Sequence, residues 1–137
     1  FNQLHGKGIE RLECFLNKLI DYMSNRIEVM RYLGEFDFYF TDETIKELKT
    51  DTMVGFDEII LLSEGLVAEI IKLGQEDQSI KANLDVNLTV ATISNLLWSF
   101  GQRIAIRDKT IFKESGFHGI DLIKNQVNIY IIAIRRD

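Results

Sequence analysis

The stretch Leu84-Asp-Val-Asn-Leu-Thr-Val-Ala-Thr-Ile-Ser-Asn-Leu-Leu-Trp-Ser-Phe-Gly-Gln-Arg-Ile-Ala-Ile-Arg107 constrains the fold more than any other. Asp85 is placed to cap a helix, and the residues after it hold helical spacing for several turns. Thr89, Ile93, Leu96, Phe100 and Arg103 share one arc of that helix. Val90, Ser94, Leu97, Trp98, Gly101 and Ala105 share a second. Two apolar arcs need two covering surfaces. One is the chain's own core, and the other is a second copy or the far side of the same core. The second arc is rich in small residues, which let helices approach closely, so it is the one expected to face a partner.

The rest of the chain reads as four more helices. Ile9, Leu12, Leu16, Leu19 and Met23 form a stripe widened by Phe15 and Ile20, and Ser24-Asn25 breaks it before a second stripe of Val29, Leu33, Phe36 and Phe40. Residues 41–52 are polar and turn-like, with Thr44-Ile-Lys-Glu47 as a possible capping box. A third helix is expected from Met53 to Leu73 with Gly74 as its stop, followed by a loop from Gln75 to Ala82. The long helix then runs from Asp85 to near Phe112, and a last one from His118 to Ile134. Val127 to Ile134 is β-branched enough for a strand, but Ile120, Ile123, Val127, Tyr130 and Ile134 keep helical spacing, and a lone strand would lack a partner. The fold class is therefore all-α, a single domain over residues 1–137.

Zero prolines among 137 residues suit long helices and short turns. The formal net charge of −5 argues against direct DNA binding, because a phosphate-gripping surface is normally basic. Cys14 is the single cysteine, so no intrachain disulfide and no cysteine-based zinc site is possible; this fits a cytoplasmic protein. His5 and His118 lack further ligands at metal spacing, and Asp57-Glu58 and Glu76-Asp77 are adjacent acids that point apart on a helix. No nucleophile–base order, phosphate loop or dinucleotide fingerprint is present, so no enzyme activity, metal or cofactor is expected.

Three segments carry a resemblance. Gly8-Ile-Glu-Arg-Leu12 opens a helix that leads to Arg31-Tyr-Leu-Gly-Glu-Phe-Asp-Phe-Tyr-Phe40; Ser79-Ile80, Leu84-Asp85 and Leu88 lead into the long helix; Asn95-Leu-Leu-Trp-Ser-Phe-Gly-Gln-Arg103 lies inside it. In order and spacing they resemble the C-terminal, ligand-binding and dimerisation domain of TetR/AcrR-family transcriptional regulators, over essentially the whole chain. Val86 stands where many relatives have proline, and Lys81 where arginine is frequent.

The resemblance implies a bacterial regulator, a repressor in most of the family, whose DNA affinity is switched by a small apolar or amphipathic effector. It implies a homodimer built as a four-helix bundle from segments 85–112 and 118–134 of each copy. Val90, Leu97, Trp98, Gly101 and Ala105 are expected at that interface, with Leu122, Ile129 and Ala133 from the last helix. It also implies an apolar cavity, for which Met30, Leu33, Phe36, Phe40, Phe56, Ile60, Leu96 and Phe100 are the candidates, although such residues also make ordinary core. Arg103 either pairs with Glu35 or Asp37 or faces the ligand as a polar handle. The chain starts at Phe1 rather than methionine, so it is expected to be part of a longer protein, with DNA binding in an upstream helix-turn-helix. The alternative reading is a dimeric helical adaptor without a DNA-linked role.

Overall fold

A three-four spacing of apolar side chains recurs along the chain, and each run of it forms a helix. The computed structural model describes residues 4–39 and 51–137, with backbone alone at 37–39, 51–54 and 56. Its helices are α1 (Gly8–Ser24), α2 (Ile27–Tyr39), α3 (Asp51–Glu76), α4 (Val86–Ser115) and α5 (Gly119–Ile134). The architecture is all-α. Among the described residues, extended pairing is limited to one isolated antiparallel bridge between Ile80 and Arg135. The possible capping box at Thr44–Glu47 lies outside the described residues.

Helix α1 touches every other helix, and α2 lies mainly along α4. Leu12, Leu16 and Ile20 of α1 are almost completely buried, with Phe15 and Met23 beside them. They meet Ile71 of α3, Leu97 of α4, and Ile123 and Val127 of α5 in one continuous core. In α5, Gly119, Ile123, Val127 and Ile131 are buried at every fourth position, so helical periodicity prevails over β-propensity there.

Polar contacts distant in sequence tie the start of α1 to the turn that follows α3. Lys7 is the N-cap of α1 but gives no side-chain cap. Asp77 takes that role: its Oδ2 accepts from the Gly8 N–H at 2.7 Å and its Oδ1 from the Ser79 N–H at 2.9 Å. The Ser79 Oγ accepts from the Ile9 N–H at 3.0 Å. Partial burial works against the charged carboxylate, but the Ser79 hydroxyl, the N–H groups of Gly8 and Ser79, and the Lys7 charge outweigh it. The net result holds Asp77 below the usual aspartate range. A Cβ on Gly8 would stand 2.2 Å from the Gly74 Cα, so the two backbones cross in direct contact.

Gly74 does not end α3, contrary to the expectation from sequence. The helix continues to Glu76, and Gly74 is an interior residue whose missing side chain admits both Gly8 and Ile80. The left-handed residue after the helix is Gln78, at φ 70°. Its turn returns the Ser79 and Ile80 N–H groups to the Gly74 carbonyl at 2.9 and 3.0 Å, satisfying an end-of-helix acceptor. The same loop holds the end of α5, through the Lys81 N–H to the Ile134 carbonyl and the Arg136 N–H to the Ser79 carbonyl.

Helix α4 begins as expected, with Asp85 Oδ1 accepting from the Leu88 N–H at 3.0 Å, and ends at Gly116 in the left-handed region. Its two arcs are distributed differently from the expectation. Val90, Leu97, Trp98, Gly101 and Ala105 are all buried within the single chain. A Cβ on Gly101 would meet the Met23 Sδ at 2.7 Å and the Met30 Cε at 3.1 Å, so its smallness serves the α1–α2 corner and not a partner subunit. On the other arc, Ile93 is buried, Phe100 is partly so, and Leu96 is 49% exposed. Arg103 faces solvent, which removes any need to neutralise a buried guanidinium with Glu35 or Asp37.

Candidate functional site

Helix α4 is broken once, at Arg107, whose φ of −131° and ψ of 24° interrupt the helical run without glycine or proline. Such a break frees backbone acceptors for outside donors. Arg31 of α2 supplies one, its Nε donating to the Ala105 carbonyl at 3.1 Å. Beyond the break, Asp108 turns to the start of α5. Its Oδ1 accepts from the Gly119 N–H at 2.7 Å, and its Oδ2 lies 3.4 Å from the His118 Nδ1. The His118 ring stacks on Phe112 with centroids 4.4 Å apart, closing the α4–α5 corner. Gly119 is required there, because a Cβ would press on Ile104 at 2.5 Å.

Between this corner and the α1–α2 junction lies a cleft of about 760 Å³. Ile20, Met23, Ile27, Ile104, Ile120 and Ile123 line it, with Gly101 and Ala105 at its base. Arg31, Arg107, Lys109, Asp108 and His118 supply its charged and titratable groups. Four helices contribute to it: α1, α2, α4 and α5.

The expected cavity residues go elsewhere. Met30, Leu33 and Phe36 are buried core, Ile60 and Phe100 pack partly buried against it, and Leu96 and Arg103 are on the surface. None of them lines the cleft at the kink. Phe40 lies outside the described residues, as does the side chain of Phe56. Another groove, of about 380 Å³, runs between α1 and α3, lined by Leu4, Phe15, Lys18, Leu19, Tyr22, Ile59, Leu62 and Ser63.

Of the residues expected at a dimer interface, those on α5 do reach the surface: Ile129 is 55% exposed, Ala133 is exposed and Leu122 is half-buried. Ile132 joins them, and α4 presents Leu88, Leu96 and Phe112. Sequence reasoning missed the cleft because no helix-breaking residue marks Arg107. The available signal was the polar run Arg107-Asp-Lys-Thr110, which interrupts the apolar pattern of α4.

No group of three or more histidine, cysteine, aspartate or glutamate side chains among the described residues could hold a metal ion. No helix among them is long and apolar enough to cross a membrane. No protein-family model, no curated protein and no solved structure matches this chain.

Proposed function

We propose that this chain is the effector-sensing and dimerisation domain of a TetR-like transcriptional regulator, a repressor by the pattern of that family. The observation that carries the reading is the cleft at the α4 kink. Its volume of about 760 Å³ falls within the range of small-molecule pockets, and most of its lining is apolar with a few polar groups. An effector seated there would touch α1 and α2 on one side and the broken segment of α4 with α5 on the other. Its binding would favour one arrangement of these helices over another, which is a population shift. In a dimer that carries two upstream DNA-binding heads, a small rotation suffices, because the heads must meet half-sites about 34–36 Å apart.

The exposed apolar residues of α4 and α5 support the dimer half of the reading, since these are the two helices a four-helix interface would use. Leu122, Ile129 and Ala133 share one face of α5 at helical spacing. The interface would then lie outside the core arc of α4 and centre on α5.

The test has two parts. Sedimentation equilibrium at micromolar concentration should give a dimer, and a library of apolar and amphipathic compounds should contain members that raise the unfolding temperature. A saturating effector stabilises by about 2.7 kcal/mol at a hundredfold excess over its dissociation constant. A monomer with no thermal shift would sink the proposal. A dimer with no thermal shift would leave a helical adaptor as the surviving reading.

A further inference from the structure

The charge around the cleft runs against the charge of the chain. The protein is net negative at −5, yet Arg31, Arg107 and Lys109 all line this one opening. Asp108 is the single acid among its lining residues. That carboxylate is already engaged, by the Gly119 N–H on one oxygen and beside the His118 ring on the other. Arg31 spends one of its five N–H donors on the Ala105 carbonyl, which fixes the guanidinium at the rim without exhausting it. The apolar part of the lining is mostly isoleucine, with no further acid beside it.

We propose that the cleft binds an amphipathic anion, with a carboxylate head at Arg31, Arg107 and Lys109 and an aliphatic tail on Ile27, Ile104 and Ile120, lining isoleucines that keep accessible surface. This rests on the sensing reading of the cleft and names the ligand class for it. Two features select that class. Cations at a half-enclosed rim recognise a carboxylate through charge-assisted hydrogen bonds, which are stronger than neutral ones. An unbranched tail meets the methyl surface of the lining isoleucines, which favours apolar chain over polar groups. A cationic amphiphile would meet three like charges, and a neutral one would forgo the head contacts.

The experiment compares decanoate below micelle formation with decanol below its solubility limit, by titration calorimetry on the intact chain. Decanoate should bind the tighter of the two. The double variant Arg107→Gln, Lys109→Gln should weaken decanoate about tenfold while leaving decanol unchanged, the loss expected of a hydrogen bond to a charged group. Both side chains are exposed, so the variant should keep the parent unfolding temperature. Thr110→Glu, which sets a carboxylate on the same rim, should act in the same direction. Equal binding of the two probes, or a double variant that leaves decanoate unaffected, would overturn the anion proposal and leave a sensing cleft for neutral ligands. Binding of neither probe would overturn the proposal together with the sensing role of the cleft.

Discussion

Replacing Gly8 by alanine tests the contact on which the α1–α3 junction depends. The added Cβ would lie 2.2 Å from the Gly74 Cα and 2.3 Å from its nitrogen, and neither backbone atom can rotate away. Reaching an ordinary contact near 3.5 Å requires the helices to part by roughly 1.3 Å. A shift of that size also stretches the 2.7 Å hydrogen bond from the Gly8 N–H to Asp77 beyond useful length. Overpacking of this kind costs about 1–3 kcal/mol, and losing the cap adds about 1 kcal/mol. The helix-propensity gain from alanine offsets at most about 1 kcal/mol. The expected loss is therefore about 1–3 kcal/mol, read as a lower urea midpoint at unchanged slope by circular dichroism. Gly65→Ala is the matched control, because Gly65 is an exposed position of α3 with no atom within 4 Å of the new Cβ. It should stabilise by about 0.5–1 kcal/mol. If Gly8→Ala is as benign as Gly65→Ala, the backbone crossing is wrong.

Asp77→Asn should cost about 1 kcal/mol, because one of two carboxylate acceptors becomes a donor facing a backbone N–H. The native carboxyl lies below the ordinary aspartate range, so its contribution is present at neutral pH and is lost as pH falls below about 4. The variant's stability should vary less over that acid interval than the parent's, and a parallel acid profile would contradict this. Gln78→Gly should stabilise by up to about 1 kcal/mol, since glycine adopts φ 70° without strain, and thermal unfolding would register a rise of a few degrees. Ile129→Glu should dissociate the proposed dimer with little change in monomer stability, whereas Gly101→Leu should destabilise the fold by pressing on Met23 and Met30. Sedimentation and urea titration on both variants separate the two effects, and a Gly101→Leu protein that dissociates while keeping full stability would reverse the assignment of the α4 arcs.

The local half of this fold was legible in the residues themselves. Asp85 announced the start of α4, because capping is a property of a single residue and its neighbours, whereas the helix runs past the expected end near Phe112 to a left-handed stop at Gly116. The helical spacing through Val127 likewise outweighed its β-branched neighbours. What tertiary structure alone decided was which surface each pattern meets. Periodicity measures the angle between the two arcs of α4 but carries no sign for inside and outside, so Gly101 fitted a partner helix as well as it fits Met23 and Met30. Gly74 looked like a helix stop because glycine favours that position, and only the tertiary structure shows it inside α3 with Gly8, from 66 residues earlier in the chain, packed on its backbone. The cleft is more distant still from the sequence. It lies where α4 breaks at Arg107 between α2 and α5, and that break carries no glycine or proline to read.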